Sequence, residues 1–200
     1  MRWDRFFDDL EDQLASEWEA ERAALDTEAE RLRLSRVALR ERLELLVGRE
    51  RTGTGPSFEL SDGTVLPAEV SGVGADWIAL ETVHGRPGTA IVPLSAVTSI
   101  GMPHADLLRT ARPAAARSAL ADRLTLGFVL RDLVRRRTAV VVHLSGGRSL
   151  SGTIDRAGVD HFDLALHEPG SPRRADAVTG HRIVLFAAVS WIRVDAAVVV

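Results

Sequence analysis

Histidines and carboxylates concentrate in the last third of the chain, and a metal site is the first chemistry to consider there. The residues concerned are four histidines and three acids: His143, His161, His167, His181, Asp160, Asp163 and Glu168. Imidazole and carboxylate groups are common ligands of Zn²⁺ and related ions. The spacing fits no standard site, because there is no His-Glu-x-x-His segment and His161 and His167 are the one pair that could meet on neighbouring strand positions. We therefore expect surface histidines, with no metal ion and no cofactor.

Nucleophiles and phosphate-binding loops give no better case for catalysis. No Gly-x-Ser-x-Gly elbow, Walker loop or Gly-x-Gly-x-x-Gly motif follows a predicted strand, and Ser145-Gly146-Gly147 is typical of a hairpin turn. The chain contains no cysteine, which excludes disulfides, thiolate zinc sites and thiol nucleophiles. The sequence therefore predicts a protein that is not an enzyme and has no small-molecule substrate.

Arginines form the remaining cluster with chemical potential. The total charge is nearly balanced, at 25 basic against 28 acidic residues, so any polyanion site must be local. Residues 104–137 hold eight arginines against three acids. The candidate nucleic-acid patch consists of six side chains that could contact a phosphate backbone: Arg131, Arg135, Arg136, Arg137, Arg173 and Arg174. Only Phe128 offers an aromatic ring nearby, so solvated helix surface is the competing interpretation.

The first 50 residues are predicted to form one charged amphipathic helix. No proline or glycine occurs from Asp4 to about Gly48, and Ala, Leu, Glu and Arg dominate. An apolar stripe follows helical spacing, and its candidate partner face is formed by Trp3, Phe7, Leu14, Trp18 and Leu25. The stripe is too narrow for a committed two-stranded coiled coil, so docking onto the protein's own body is the preferred prediction.

Charge is segregated along this helix. Residues 1–30 carry eleven acids and three arginines, whereas residues 31–51 carry seven arginines and three acids. A solvated face is the simplest interpretation. The functional alternatives are an acidic arm for a basic partner and antiparallel self-pairing of two such helices.

An internal repeat dominates the rest of the chain. Residues 58–80, FELSDGTVLPAEVSGVGADWIAL, return at residues 142–164 as VHLSGGRSLSGTIDRAGVDHFDL. Residues 91–100, IVPLSAVTSI, return at residues 183–192 as IVLFAAVSWI. The difference in length falls in one loop, residues 167–182, as a duplicated fold predicts. Residues matched in this way are termed counterparts.

Alternating apolar residues and glycine turns predict five short strands in each copy. The first strand ends at Leu60 or its counterpart Leu144, and the last two abut near Val97 or its counterpart Val189. The predicted organisation is a helix at 1–50, a first unit at 56–102, a helical linker at 104–137 and a second unit at 138–196. The predicted fold class is α+β, mainly β.

These motifs resemble the Sm-like family of small SH3-like β-barrels. The second unit carries V-x-L-x-x-G-x-x-L-x-G-x-I over residues 142–154, then Gly158 and Asp160, which resembles the first Sm motif. Residues 184–192 lie where the second motif would be. The first unit keeps the pattern but has Ala68 in place of Gly152. The resemblance implies two five-stranded barrels, and the arginine-rich composition is typical of a GC-rich bacterial genome.

The RNA-binding residues that the resemblance implies are not present. Sm-like proteins hold a base with a side chain at the third-strand corner, a nearby asparagine and an arginine-glycine pair. Here the corner reads Trp77 or 161–163 (His-Phe-Asp), the pair reads Pro93-Leu94 or Leu185-Phe186, and the chain has no asparagine. Base-specific RNA binding of the family type is therefore not expected.

The sequence leads to one functional hypothesis and one alternative. We expect a cytoplasmic, non-enzymatic interaction or scaffold protein, because no membrane-length apolar run or basic leader is present and unpaired barrel edges favour self-association or a protein partner. Three chains closing a six-barrel ring and a monomer whose edges are capped by the first helix both fit. The alternative is an RNA-binding protein that uses the arginine patch for phosphate contacts.

Overall fold

The computed structural model describes residues 2–48, 55–82, 88–112, 123–169 and 174–194, with the side chains of residues 2–12, 15 and 20 excepted. It shows an α+β fold that is mainly β. The helices are α1 (Arg2–Ser35), α2 (Leu39–Glu44), α3 (His104–Thr110) and α4 (Leu126–Arg136). In the described ranges, no helix is both long and apolar enough to cross a membrane.

Ten strands form one antiparallel sheet. The first five are β1 (Ser57–Leu60), β2 (Val65–Val73), β3 (Trp77–Thr82), β4 (Thr89–Pro93) and β5 (Val97–Gly101). The second five are β6 (Ala139–Leu144), β7 (Ser149–Ala157), β8 (His161–Leu166), β9 (Gly180–Leu185) and β10 (Val189–Val194). The strand order is β5-β1-β2-β3-β4-β10-β6-β7-β8-β9. We refer to β1–β5 with α2 as the first set, and to β6–β10 with α4 as the second set.

The first hairpin of each set turns where the sequence places glycine. Gly63 and Gly147 have φ angles of 81° and 77°, a left-handed conformation that other residues adopt with strain. In the first set, Oδ1 of Asp62 accepts a hydrogen bond from the backbone N–H of Thr64 at 3.1 Å, which fixes the turn. Short strands on either side then present alternate residues to the core, as Phe58 and Leu60 do around exposed Glu59.

The buried apolar residues form two cores, one mainly from each set, and a helical segment packs in each. Leu43 of α2 and Leu46, which follows the helix, pack in the first core with side chains such as Phe58 and Leu80. In the second core, Leu126, Leu130 and Leu133 of α4 pack with side chains such as Phe162 and Leu164. Leu39, Leu43 and Leu46 follow the same i, i+4, i+7 spacing as Leu126, Leu130 and Leu133 of α4. The segment predicted as a linker thus supplies the helix that covers the second core.

The prediction of one helix as far as Gly48 is wrong. The chain leaves the helix after Ser35, and Ala38 has an extended ψ angle of 150° before α2 begins. No proline or glycine marks this break. The change of direction allows Leu43 and Leu46 to be buried, and such packing outweighs the modest free energy of intrinsic helix propensity.

Candidate interaction surfaces

The two sets meet along one pair of strands, β4 and β10, and we call this contact the joint. Its antiparallel register places Ile192 opposite Ile91, Arg193 opposite Ala90 and Val194 opposite Thr89. All five residues of β4 are buried. The backbone groups of β4 that would otherwise form an exposed edge are therefore paired within the chain.

Trp191 anchors one side of the joint. Although it belongs to the second set, its side chain packs in the first core and is only 7% exposed. Its indole N–H donates to Oδ2 of Asp62 at 3.2 Å. The ring stacks on His143, with centroids 3.8 Å apart and an angle of 3° between the planes. A bond between hydroxyls, from Ser61 Oγ to Ser190 Oγ at 3.2 Å, lies in the same region.

The electrostatics of this cluster follow from its burial. Burial raises the pKa of Asp62, but hydrogen bonds from Thr64, Ser190 and Trp191 outweigh it, so the pKa lies below the usual value. Burial lowers the pKa of His143, with Asp62 opposing and Arg193 adding to the decrease. Near neutral pH the joint therefore contains an ionised carboxylate and a neutral imidazole.

On the opposite side of the joint, residues of the first set pack in the second core. Trp77, Ala79 and Ile91 lie in the second core, among the leucines of α4. The Trp77 indole N–H donates to the carbonyl of Leu124 at 2.8 Å. The Asp76 carboxylate accepts from the N–H of Leu126 at 2.6 Å, and so satisfies one of the free donors at the start of α4. Each set thus contributes side chains to the other's core.

Two strands, β5 and β9, end the sheet, and we call them the free edges. On β9, Ile183 is 72% exposed and Leu185 is 56% exposed. Thr98 and Ser99 are exposed on β5, and Ile100 is half-buried. An exposed strand edge with apolar side chains is a template for pairing with another chain.

Helix α1 carries the predicted partner face, and the described side chains of that face are exposed to solvent. The exposed fractions are 51% for Leu14, 69% for Trp18 and 66% for Leu25. The side chains of Trp3 and Phe7 lie outside the described residues. The prediction that this stripe docks onto the protein's own body is wrong for the three side chains that the structure describes, and the stripe faces solvent.

The arginine patch is partly occupied by local ion pairs. Arg135 binds the Asp132 carboxylate, and Nε of Arg136 lies 2.6 Å from Oδ2 of the same residue. Burial raises the pKa of Asp132, but the two hydrogen-bonded guanidinium groups outweigh it, so the pKa lies below the usual value. Arg137 ends α4 in a left-handed conformation with its side chain exposed. Two of the six guanidinium groups thus share one carboxylate of the same helix.

The other described members of the patch lie on different elements. Arg131 is exposed on α4, and Arg174 is exposed at the end of the long loop before β9. Arg173 lies outside the described residues.

The four histidines considered for a metal site have four separate environments. His143 stacks on Trp191. His161 bonds to Asp160 at 2.8 Å, and Nε2 of buried His167 bonds to Thr153 at 2.8 Å. The fourth, His181, lies 4.0 Å from Asp155. Within the described ranges, no three His, Asp or Glu side chains are arranged to hold a metal ion.

Comparison of the chain with protein-family models, with curated proteins and with solved structures finds no match. The resemblance to Sm-like proteins thus rests on the sequence motifs.

Sequence reasoning missed the cluster of Asp62, His143 and Trp191. A signal for it was present in the repeat. Where the second copy reads Val-Ser-Trp-Ile the first reads Val-Thr-Ser-Ile, so Trp191 replaces Ser99. A large aromatic residue in one copy alone indicates a contact that only that copy makes.

Proposed function

We propose that this chain is a non-enzymatic interaction or scaffold protein of the cytoplasm, built on two paired Sm-like barrels, with α1 offering a charge-segregated face to a protein partner. The observation that carries the proposal is the sheet order, in which one edge of each set is joined within the chain and the other is free. A free strand edge is a recognised means of protein association.

Pairing within each set supports the barrel interpretation. β1 pairs with both β2 and β5, and β6 pairs with both β7 and β10, so the last strand of each set returns beside the first. One apolar cluster lies mainly within each set. Small barrels reduce their exposed edges in this way.

The exposure of α1 supports a partner for the helix. Large apolar side chains in a contiguous exposed stripe are characteristic of binding surfaces. Leu14, Trp18 and Leu25 form such a stripe within the acidic part of α1. A partner with an apolar groove bordered by basic residues would match both features.

Nucleic acid is the alternative ligand, and the arginine patch is its candidate surface. The ion pairs of Arg135 and Arg136 with Asp132 weigh against it, because a phosphate would have to compete with a carboxylate on the same helix.

The test is purification of the tagged full chain from its native lysate at low salt, before and after nuclease treatment. Protein that remains bound after nuclease supports the proposal. Trp18→Gln combined with Leu25→Gln should then release it, because both substitutions remove exposed apolar surface and leave the charge unchanged.

The matched control is Ser16→Gln combined with Thr27→Gln. These positions lie on the opposite face of α1 by helical geometry and are also exposed. Bound RNA that is lost at physiological salt and on replacement of Arg131 and Arg137 would instead establish the alternative.

A further inference from the structure

Helix α1 stands clear of the rest of the described chain. Its 34 residues span about 50 Å at the usual rise per residue, and each of its described side chains is exposed. Leu32, which is 53% exposed, extends the stripe of Leu14, Trp18 and Leu25 to the end of the helix. Helices in proteins gain most of their stability from packing of such an apolar face. A ligand that covers the stripe must therefore be elongated, as a second helix is.

The stripe ends at an open cavity in the bend between α1 and α2, which we call the elbow cavity. Its volume is about 470 Å³, and it is lined by Ala29, Leu32, Arg33, Arg36, Val37 and Glu41. Three of these residues are apolar, and two arginines outnumber one glutamate. The elbow cavity therefore suits an apolar side chain carried by an acidic segment.

Trp18 has both of these properties. Its indole is 69% exposed, and it lies between Glu17 and Glu19, which are also exposed. Leu32, in the wall of the elbow cavity, is about four turns further along the same face of α1 and about 21 Å away. A chain thus cannot place Trp18 in its own elbow cavity, whereas a second copy that lies antiparallel to α1 can.

We propose that a second copy of this chain covers the stripe, with the two α1 helices antiparallel and Trp18 of each copy in the elbow cavity of the other. This pairing rests on the proposed function, since it names the partner of α1. A two-fold axis then passes near Thr27, midway between Trp18 and Arg36. The same surface serves both copies, so the contact is closed and the assembly ends at a dimer.

The antiparallel register places large side chains against small ones. Leu25 of one copy lies opposite Ala29 of the other, and Leu32 lies opposite the aliphatic stem of Arg22. Alternation of large and small residues allows facing layers to interdigitate. A parallel pair in register would instead place Trp18 against Trp18, leave both elbow cavities empty and bring every acid of α1 beside its own equivalent.

Charge complementarity accompanies this register on one flank of the stripe, where Glu19 of one copy lies beside Arg33 of the other. Arg33 is 3.4 Å from Glu30 of its own helix, but both side chains are largely exposed, so little free energy is needed to exchange that pair. Asp26 and Glu28 lie near their own equivalents at the two-fold axis. This repulsion weakens the pairing and makes it reversible.

The first measurement is the mass of the full chain in solution over a range of concentrations, by light scattering or native mass spectrometry. A species of twice the chain mass of 21.7 kDa is expected. Trp18→Gln should raise its dissociation constant by about 100-fold, which is about tenfold for each elbow cavity that loses its indole. Glutamine is at least as good a helix former as tryptophan, so α1 itself is retained.

The matched control is Phe128→Gln. Phe128 is also an aromatic residue of a helix and is 51% exposed, but it lies on α4. This variant should dimerise like the wild type. A monomer at every concentration, or equal effects of the two glutamines, would overturn the proposed pairing.

Charge exchange tests the flank of the stripe. Glu19→Arg and Arg33→Glu should each weaken the dimer by about fivefold at low ionic strength, because each change places like charges together at two symmetric sites. A chain that carries both changes has the pair reversed and should regain most of the lost affinity. A double variant as weak as the single ones would contradict this register.

The direction of pairing is tested by cross-linking, since the chain has no cysteine of its own. A mixture of full chains carrying Arg22→Cys and Leu32→Cys should form a disulfide between copies. Either variant alone should remain unlinked, because the antiparallel register leaves about 15 Å along the axis between like positions, beyond the reach of a disulfide. Links formed by either variant alone would mean that the helices are parallel, and an unlinked mixture would equally rule out the pairing.

The mass measurement and the purification from lysate together separate this pairing from the proposed function. The chain could be a monomer at every concentration and still bind a lysate protein that Trp18→Gln and Leu25→Gln release. The pairing of two copies is then wrong, while the interaction role of the chain stands.

Discussion

The pair His143 and Trp191 and the pair Glu59 and Ser99 occupy the same position in the two sets, on the first and last strands. The first pair stacks and is built into the joint, where Trp191 is 7% exposed. The second is a polar, exposed pair at the end of the sheet. The same pairing of first and last strands thus carries a fixed contact in one set and a free edge in the other, and the two sets differ in the side chains at this position.

Trp191→Ala is expected to have the largest effect on the difference between the joint and the free edge. Loss of a buried indole, with Asp62 left short of a donor, should lower the free energy of unfolding by about 3–5 kcal/mol. Ser99→Ala should change it by no more than about 0.5 kcal/mol, because Ser99 is exposed. Urea denaturation of both full-length variants measures the difference. Similar losses in the two would show that the joint and the free edge are not distinguished by these side chains.

A second comparison concerns the glycine that only the second set has. A Cβ atom at Gly152 would collide with the backbone carbonyl of Ala165, whereas its counterpart Ala68 is fully buried without such a conflict. Gly152→Ala should therefore destabilise the protein by about 1–3 kcal/mol. Ala68→Gly should be milder, at about 1 kcal/mol, from lost packing and greater freedom of the unfolded chain. Thermal unfolding of the two variants shows which substitution destabilises the protein more. Equal stability of Gly152→Ala and the wild type would refute the expected collision.

The third comparison is the pH dependence of the joint, and its effect is the smallest. Burial keeps the pKa of His143 below the ordinary value of 6.5, so below that pH the unfolded chain binds a proton more readily than the folded chain. Stability from this group is complete above pH 6.5 and is lost as the pH falls towards the folded pKa. The pKa of Asp62 is also lowered, and its contribution is lost in stronger acid, below 3.8.

His143→Gln should therefore reduce the decrease in stability between pH 7.5 and pH 5.5, as measured by urea midpoints at the two values. His181→Gln is the control, because His181 is exposed. An unchanged pH dependence in the His143→Gln variant would contradict the assigned role of burial.

The sequence predicted the local parts of the fold well. The turns at Gly63 and Gly147, and the strands that they connect, follow from glycine placement and from residues such as Phe58 and Leu60 that alternate with polar ones. These signals act between near neighbours in the chain, so they can be read without knowledge of the tertiary structure.

The joint could not be predicted in the same way. The short apolar runs of β4 and β10 are typical of buried strands, but they carry no information on which distant strand each one meets. The end of α1 escaped prediction for a related reason, because Leu43 and Leu46 turn towards a core formed by residues further along the chain. The arginine patch was read from composition, which could not reveal that Asp132 binds both Arg135 and Arg136.

Residues 102–125, which include α3, connect the two sets covalently. This tether keeps β10 at a high effective concentration beside β4, so dilution does not separate them. Contacts between copies have no such tether and follow the total protein concentration. Any assembly formed through the free edges would then contain an even number of five-stranded sets, and only every second strand junction along it could open.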